Sequence, residues 1–146
     1  MSKTRFKQGY YQPINQDKYV GNPPIVYRSS WEKLFMKFLD LNPNVVKWNS
    51  EGLEIPYISE VDGLPHRYFP DFVVELINRD GKKMRYIIEI KPYNETLPPK
   101  QKKNKKTYMN ECITYARNAS KWDAAQAFAS KHNFIFKIIT EKELGI

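Results

Sequence analysis

The residues best suited to chemistry are one aspartate and an acid–lysine pair near the ends of two apolar segments. Asp71 precedes one segment, and Glu89 and Lys91 stand two positions apart at the end of the other. Side chains alternate between the two faces of a strand, so Glu89 and Lys91 project from the same side while Ile90 points into the core. The spacing therefore predicts an ion pair directed at one small volume.

The turn between the two predicted strands decides whether Asp71 joins this pair. A two-residue turn would place Asp71 opposite Ile90, whereas a three-residue loop formed by residues 79–81 would place it opposite Glu89. Three-residue loops end on a residue in the left-handed conformation, and Gly81 is the last residue of that loop. We therefore favour the register that pairs Asp71 with Glu89.

Two carboxylates that face each other across a hairpin repel one another unless a cation lies between them. A divalent metal with oxygen ligands would meet that need. Carboxylates without histidine favour magnesium, with manganese as a possible substitute, over zinc. The chain has a single cysteine, Cys112, which excludes an internal disulfide and any cysteine-rich zinc site.

Glu32 is the fourth candidate, and its position in the sequence allows two interpretations of its role. The segment from Ser29 to Glu32 is typical of a capping box, in which Glu32 reaches back to the Ser29 amide. A helix that covers the sheet could instead deliver Glu32 to the pair formed by Asp71 and Glu89. Three other acids, Glu51, Glu54 and Glu75, are expected at the surface or at a sheet edge.

The elements that must position these residues follow from periodicity and turn signals. Ser29 should begin a helix whose buried side is an apolar stripe: Trp31, Leu34, Phe35, Phe38 and Leu39. Strands are predicted at 45–48, 53–58, 67–77, 84–90 and 134–139, the last of them buried. Two helices should lie between the last two strands, one from about residue 100 to 117 and one beginning at Ser120. This order predicts a single-domain α/β sandwich with a mixed sheet and a central hairpin flanked by helices.

Charge and chain length restrict the function classes. The 146 residues suit one domain, expected at 25–146 behind an extended arm at 1–24 whose aromatic residues should dock on the domain or on a partner. The formal net charge is +8, and the whole excess lies between residues 79 and 121. That concentration indicates a surface for a polyanion. No apolar segment is long enough for a membrane helix, and no signal peptide is apparent, so a soluble intracellular-type protein without membrane contact is expected.

Two groups of basic residues are the expected DNA contacts. Arg67 precedes the first strand of the hairpin, and its forked guanidinium suits two phosphate oxygens, whereas neighbouring His66 is expected to be structural. Five lysines follow Lys91 with no acid among them: Lys100, Lys102, Lys103, Lys105 and Lys106. As point charges they suit backbone contacts with little sequence specificity.

The quartet and its surroundings resemble a known family. Glu32, Pro70-Asp71 and Glu89-x-Lys91 match the PD-(D/E)xK nuclease pattern with its preceding helical glutamate. The longer segments YRSSWEKLFMKFLD, HRYFPDFVVE and IIEIKP are similar to the TnsA-type endonuclease domain of cut-and-paste transposition. The chain from about residue 27 to 144 most resembles the head-completion nucleases of T-even-like tailed phages.

The resemblance implies a role for each matching residue. Asp71, Glu89 and the Ile90 carbonyl would hold Mg²⁺, and Glu32 would bind a second ion or its water shell. Lys91 would orient the attacking water in a phosphodiester hydrolysis. The resemblance further implies action on DNA ends after packaging, in the host cytoplasm or at the head–neck region of the virion, where portal or head proteins would be partners. Two alternatives stay open: a structural head-completion protein with a vestigial nuclease fold, and an endonuclease subunit of a transposase.

Overall fold

The computed structural model describes residues 8–146, so the first seven residues of the predicted arm, with its aromatic Phe6, lie outside the described residues. The strands of this part of the chain are β1 (Gly9–Tyr11), β2 (Ile25–Tyr27), β3 (Val45–Ser50), β4 (Ile55–Ile58), β5 (Pro65–Tyr68), β6 (Phe72–Ile77), β7 (Lys83–Ile90) and β8 (Ile135–Ile139). Its helices are α1 (Ser30–Leu41), α2 (Lys105–His132) and α3 (Glu141–Leu144). Within residues 8–146, no helix combines the length and the apolar character that a bilayer-spanning segment needs.

A four-stranded mixed sheet with the order β3-β6-β7-β8 lies at the centre of the fold. The pairs β3–β6 and β6–β7 are antiparallel, whereas β8 runs parallel to β7. Two small antiparallel sheets, β1–β2 and β4–β5, accompany it. The predicted α/β sandwich with a mixed sheet and a central hairpin is therefore confirmed.

The hairpin β6–β7 has the register that we favoured. Phe72 pairs with Ile88 and Ile77 pairs with Lys83, and the Asn78 N–H donates to the Lys82 carbonyl at 2.9 Å. These hydrogen bonds leave residues 79–81 as the loop, and Gly81 adopts φ +77°, which glycine tolerates without strain. One further step of the same register brings Asp71 opposite Glu89.

The two faces of the sheet pack against different helices. Phe72, Val74 and Ile88 form one apolar core with α1, whereas Ile87 forms a second core with the alanines of α2. Since Ile87 and Glu89 share a face, Glu89 and the opposing Asp71 lie on the side of the sheet that α2 covers. Both predicted inward residues, Ile88 and Ile90, are buried in the α1 core.

Several sequence-based boundaries were wrong. The predicted strand at 67–77 is two strands, because the chain leaves β5 at Tyr68 and passes through a fully buried Pro70, which cannot donate to a ladder, before β6 begins. The two predicted helices are one 28-residue helix, α2. Ser120 is buried within α2 rather than at a helix start, and it donates back to the Ala116 carbonyl at 3.1 Å.

The predicted burial of two elements also needs correction. In α1 the buried residues are Phe35, Met36, Leu39 and Asp40, while Leu34 and Phe38 are exposed. Strand β8 lies at the edge of the central sheet, and among its residues only Ile139 is buried. The apolar composition of this strand therefore did not indicate a buried position in the sheet.

The described part of the N-terminal arm docks on the domain. The carboxylate of Asp40, fully buried at the end of α1, accepts hydrogen bonds from the Tyr11 hydroxyl at 2.7 Å, the Ile14 amide at 2.8 Å and the Asn15 amide at 2.9 Å. Burial alone would raise the pKa of Asp40, but these hydrogen bonds outweigh it and lower that pKa. The docking on the chain's own domain was one of the two predicted options, while the boundary between arm and domain stays a prediction.

Candidate active site

Asp71 and Glu89 meet at the end of the central hairpin. Glu51 N–H donates to the Asp71 carbonyl at 3.1 Å, which extends the β3–β6 pairing to this residue. The Asp71 carboxylate uses Oδ2 to accept a hydrogen bond from the Ile90 amide at 2.7 Å. Glu89 is 7% exposed and accepts a hydrogen bond on Oε1 from the Tyr68 hydroxyl at 2.6 Å. Strand register and these bonds therefore hold both carboxylates in place.

Lys91 completes the group that the sequence pattern predicted to be together. Its Nζ lies 3.8 Å from Glu89 Oε2, and its backbone N–H donates to the Ile139 carbonyl at 2.9 Å. The ammonium is close enough for a strong electrostatic interaction but too far for a hydrogen bond. Lys91 therefore partly offsets the charge of the acidic pair without forming a hydrogen bond to Glu89.

The electrostatics of the pair favour proton uptake when no cation is bound. Burial raises the pKa of Asp71 well above its usual value, and repulsion from Glu89 and Glu32 raises it further, against the Ile90 hydrogen bond and the attraction of Lys91. Burial also raises the pKa of Glu89, opposed by the Tyr68 hydroxyl and by two lysines, Lys91 and Lys121. Two neighbouring acids with raised pKa values, one buried and one half-buried, are typical of a functional site.

Glu32 lies beside this pair and also caps α1. Its backbone N–H donates to Ser29 Oγ at 3.1 Å, and its Oε1 accepts a hydrogen bond from the Arg28 amide at 3.1 Å, not from the Ser29 amide that the capping box predicted. Burial raises the pKa of Glu32, and the charge of nearby Glu51 adds to this effect. The repulsion between Glu32 and Asp71 shows that α1 brings this glutamate to the edge of the site. The two interpretations of Glu32 are thus compatible.

The oxygen atoms at the site suit a hard cation that keeps part of its water shell. Within residues 8–146, no three His, Cys, Asp or Glu side chains are grouped closely enough to hold an ion by themselves. Asp71 Oδ1 accepts no hydrogen bond from the described residues, and Glu89 Oε2 faces only the ammonium at 3.8 Å. Mg²⁺ is commonly bound through one or two carboxylates plus water and substrate oxygens. These two carboxylates, with one open oxygen each, fit that ion, with Mn²⁺ as an alternative.

Four residues near the site were not predicted from sequence. Tyr68 holds Glu89, and Lys121 of α2 interacts electrostatically with the same glutamate. On the α1 side, Arg28 forms a two-pronged ion pair with Glu51 at 3.0 and 3.1 Å. Glu51 directly follows β3 at the edge of the central sheet, which agrees with its expected place at a sheet edge. These residues come from four different elements or loops, and no local motif connects them.

The residues predicted to contact DNA lie at the surface, and their role stays a prediction. Arg67 is exposed and lies 3.4 Å from Glu54, and His66 is bound by Asp62 at 2.8 Å as expected of a structural histidine. Of the five lysines, Lys102 pairs at 3.0 Å with Glu111, an acid of α2 that lies outside the lysine segment. Only the last two belong to α2, which begins after the N-cap Asn104. The four others of this lysine group lack an ion pair with any described residue and are exposed: Lys100, Lys103, Lys105 and Lys106.

Comparisons with known proteins agree with this geometry. Residues 42–141 match the family described as TnsA-like endonuclease N terminal, a range that includes Asp71, Glu89 and Lys91 but not Glu32. The head completion nuclease of Enterobacteria phage T4 is 42% identical over 142 residues, which cover 93% of this chain and 92% of that protein. With its hairpin, its acidic pair and its adjacent lysine, the chain belongs to the TnsA-like endonuclease family.

Proposed function

We propose that the protein is a Mg²⁺-dependent DNA endonuclease that hydrolyses phosphodiester bonds during phage head completion. The observation that carries this proposal is the pair formed by half-buried Asp71 and buried Glu89, each with one open oxygen, beside the Lys91 ammonium. Buried carboxylates that repel each other reduce stability, so an arrangement of this kind is expected where it serves chemistry.

Each residue of the site has a part in this reaction. Asp71, Glu89 and the Ile90 carbonyl would hold Mg²⁺, with Glu32 binding at its water shell or at a second ion. The metal supplies Lewis acidity and lowers the pKa of bound water. Lys91 positions the attacking water through its ammonium and offsets negative charge that develops on the phosphate. Tyr68 keeps Glu89 oriented by its 2.6 Å hydrogen bond.

The setting in phage assembly is supported by the relative's name alone. The T4 protein is a head completion nuclease, and the match covers nearly all of both chains. We therefore propose that this protein processes DNA ends after packaging, in the host cytoplasm or at the head–neck region, with portal or head proteins as partners. DNA binding through Arg67 and through the lysines at 100, 102, 103, 105 and 106 belongs to the same proposal.

Cleavage assays test the catalytic proposal. Linear, nicked and branched DNA should be cut in the presence of Mg²⁺ or Mn²⁺ and left intact in EDTA. Asp71→Asn should abolish cutting, because the amide oxygen is a poorer ligand than a carboxylate. Glu75→Gln is the matched control: Glu75 is an acid of the same strand, but it pairs with Lys83 at 3.7 Å toward the opposite end of the hairpin. Equal cutting by both variants would contradict the assignment of Asp71 to the active site. No cutting by the parent would contradict the proposed cleavage and favour a structural head-completion role.

A further inference from the structure

Helix α2 brings one cation, Lys121, close to the acidic pair and carries a second, Arg117, beside it. Arg117 and Lys121 are four residues apart and therefore lie on one face of the helix, one turn from each other. Lys121 Nζ lies 5.8 Å from the centroid of the Tyr68 ring, whose hydroxyl holds Glu89. Lys121 thus approaches the site from α2.

The position of Lys121 is set by packing. The preceding residue, Ser120, is buried and accepts a hydrogen bond from the Glu60 amide at 3.1 Å, which ties this turn of α2 to the chain after β4. One turn later, Ala125 is fully buried in the core that includes Tyr68. The lysine stem is half-buried between these anchors. A cation on a fixed stem beside the site is pre-organised for a ligand.

The charges at this place are unbalanced in a way that favours an anion. Lys121 is attracted by Glu89 and Asp71 and repelled by Lys91 and Arg117. Arg117 is exposed and forms no ion pair with the residues described by the structure. Three cations, Lys91, Arg117 and Lys121, thus stand against two acids. The excess of positive charge is balanced when an anionic ligand lies among them.

We propose that Arg117 and Lys121 form a phosphate-binding pair that holds the DNA backbone from the α2 side of the site. Arg117 offers a planar fork that suits two phosphate oxygens, and Lys121 offers a point charge closer to the acidic pair. This inference rests on the proposed function for its substrate, DNA. It adds a DNA-binding surface that is separate from Lys91 and from the lysines before α2.

The test is the salt dependence of binding to a labelled DNA duplex in EDTA, where no cleavage occurs. Because each substitution leaves one phosphate without its cation, the slope of log K against log salt should fall by about 0.9 in Arg117→Gln and in Lys121→Gln. Between about 50 and 200 mM salt, each variant should then show an about 3.5-fold smaller change in Kd than the parent. Lys131→Gln, an exposed lysine in the last turn of the same helix, is the control and should keep the parent slope.

Further variants separate charge from structure. Lys121→Arg keeps the positive charge and should show the parent slope. If Lys121 acted only through packing, the slope would not depend on whether the side chain at this position is charged. If Lys121→Gln does not fold, the exposed Arg117→Gln and the charge-preserving Lys121→Arg decide the matter. Slopes equal to that of Lys131→Gln would overturn the inference. A parent that binds DNA with these slopes but never cuts it with Mg²⁺ would refute the proposed cleavage and leave the phosphate-binding pair of α2 standing.

Discussion

Replacing Asp71 by asparagine should stabilise the metal-free protein while it destroys the candidate site. The change removes one of two carboxylates that face each other across the hairpin and keeps an oxygen that can accept the Ile90 N–H. The aspartate is half-buried, and its charge is repelled by Glu89 and Glu32. Loss of its charge therefore removes a repulsion that the folded state must otherwise accommodate.

The size of the effect follows from the cross-strand geometry. Directly opposed side chains have Cβ atoms about 5 Å apart, and two unit charges at that separation repel by about 3 kcal/mol at an effective dielectric constant of about 20. The attraction of Lys91 and the stronger hydrogen bond that a charged oxygen makes with the Ile90 amide offset part of this. We expect a net gain of about 1–2 kcal/mol in the free energy of unfolding, or about 2–8 °C in Tm for a chain of this size.

The pH dependence of this gain has a defined sign. The pKa of Asp71 in the folded state lies above its unfolded value of about 3.9. Below that unfolded value both states are protonated, so parent and variant should have equal stability. As the pH rises through the folded-state pKa, the parent loses stability relative to the variant. The stabilisation by asparagine should thus be absent in acid and complete at alkaline pH.

Thermal unfolding with and without Mg²⁺ is the assay. In EDTA, Asp71→Asn should melt above the parent, and Glu75→Gln should not. Adding Mg²⁺ at about 100 times its Kd should stabilise the parent by about 2.7 kcal/mol and leave the asparagine variant unchanged. A variant less stable than the parent in EDTA at high pH would refute the electrostatic reasoning. Equal stabilisation of both proteins by Mg²⁺ would refute the assignment of Asp71 as a ligand.

Three other perturbations test separate parts of the molecule. Glu32→Gln should change the free energy of unfolding by less than about 1 kcal/mol, because glutamine can still accept the Arg28 N–H. Cleavage of DNA by this variant should nevertheless be lost. A folded variant that still cuts DNA would show that Glu32 is not part of the site. In a second variant, the lysines at 102, 103, 105 and 106 are replaced by glutamine. The slope of log K for DNA binding against log salt should fall by about 0.9 for every phosphate that is no longer neutralised. An unchanged slope would indicate that these lysines form a solvated or protein-binding surface. Asp40→Ala should lower the free energy of unfolding in urea by at least about 2 kcal/mol, because it leaves the Tyr11 hydroxyl and two amides without their acceptor. Since the pKa of Asp40 is lowered, its contribution should persist above about pH 4 and vanish as the pH falls further, so a parent-like urea midpoint at pH 7 would contradict it.

The hairpin and its register could be predicted from the sequence because the relevant physics is local. A glycine at the last loop position selects the three-residue turn, and strict alternation along both strands then decides which side chains share a face. Asp71, Glu89 and Lys91 could therefore be placed together from the sequence. The N-cap Ser29 and the start of α1 depended on equally local signals.

The length of α2 and the ends of β5 could not be predicted in this way. Ser120 is a good N-cap residue by type, but its hydroxyl finds both a carbonyl within the helix and the Glu60 amide outside it, so the helix continues. The apolar stripe of α1 was misplaced because the docked arm supplies hydrogen-bonding partners that bury Asp40 in place of Phe38. Such partners come from chain segments more than twenty residues away.

The sequence by itself determined which carboxylates face each other and which lysine accompanies them, since the segment from Asp71 to Lys91 contains all the required information. Only the tertiary structure decided how deeply these acids are buried, that Tyr68 holds Glu89, and that Lys121 approaches from α2. Burial and packing of this kind depend on how helices lie on a sheet, which is set by the summed shape of many side chains. The spacing of residues within one segment contains no information about this packing. The cations and hydrogen bonds around the acidic pair could therefore be seen only in the folded chain.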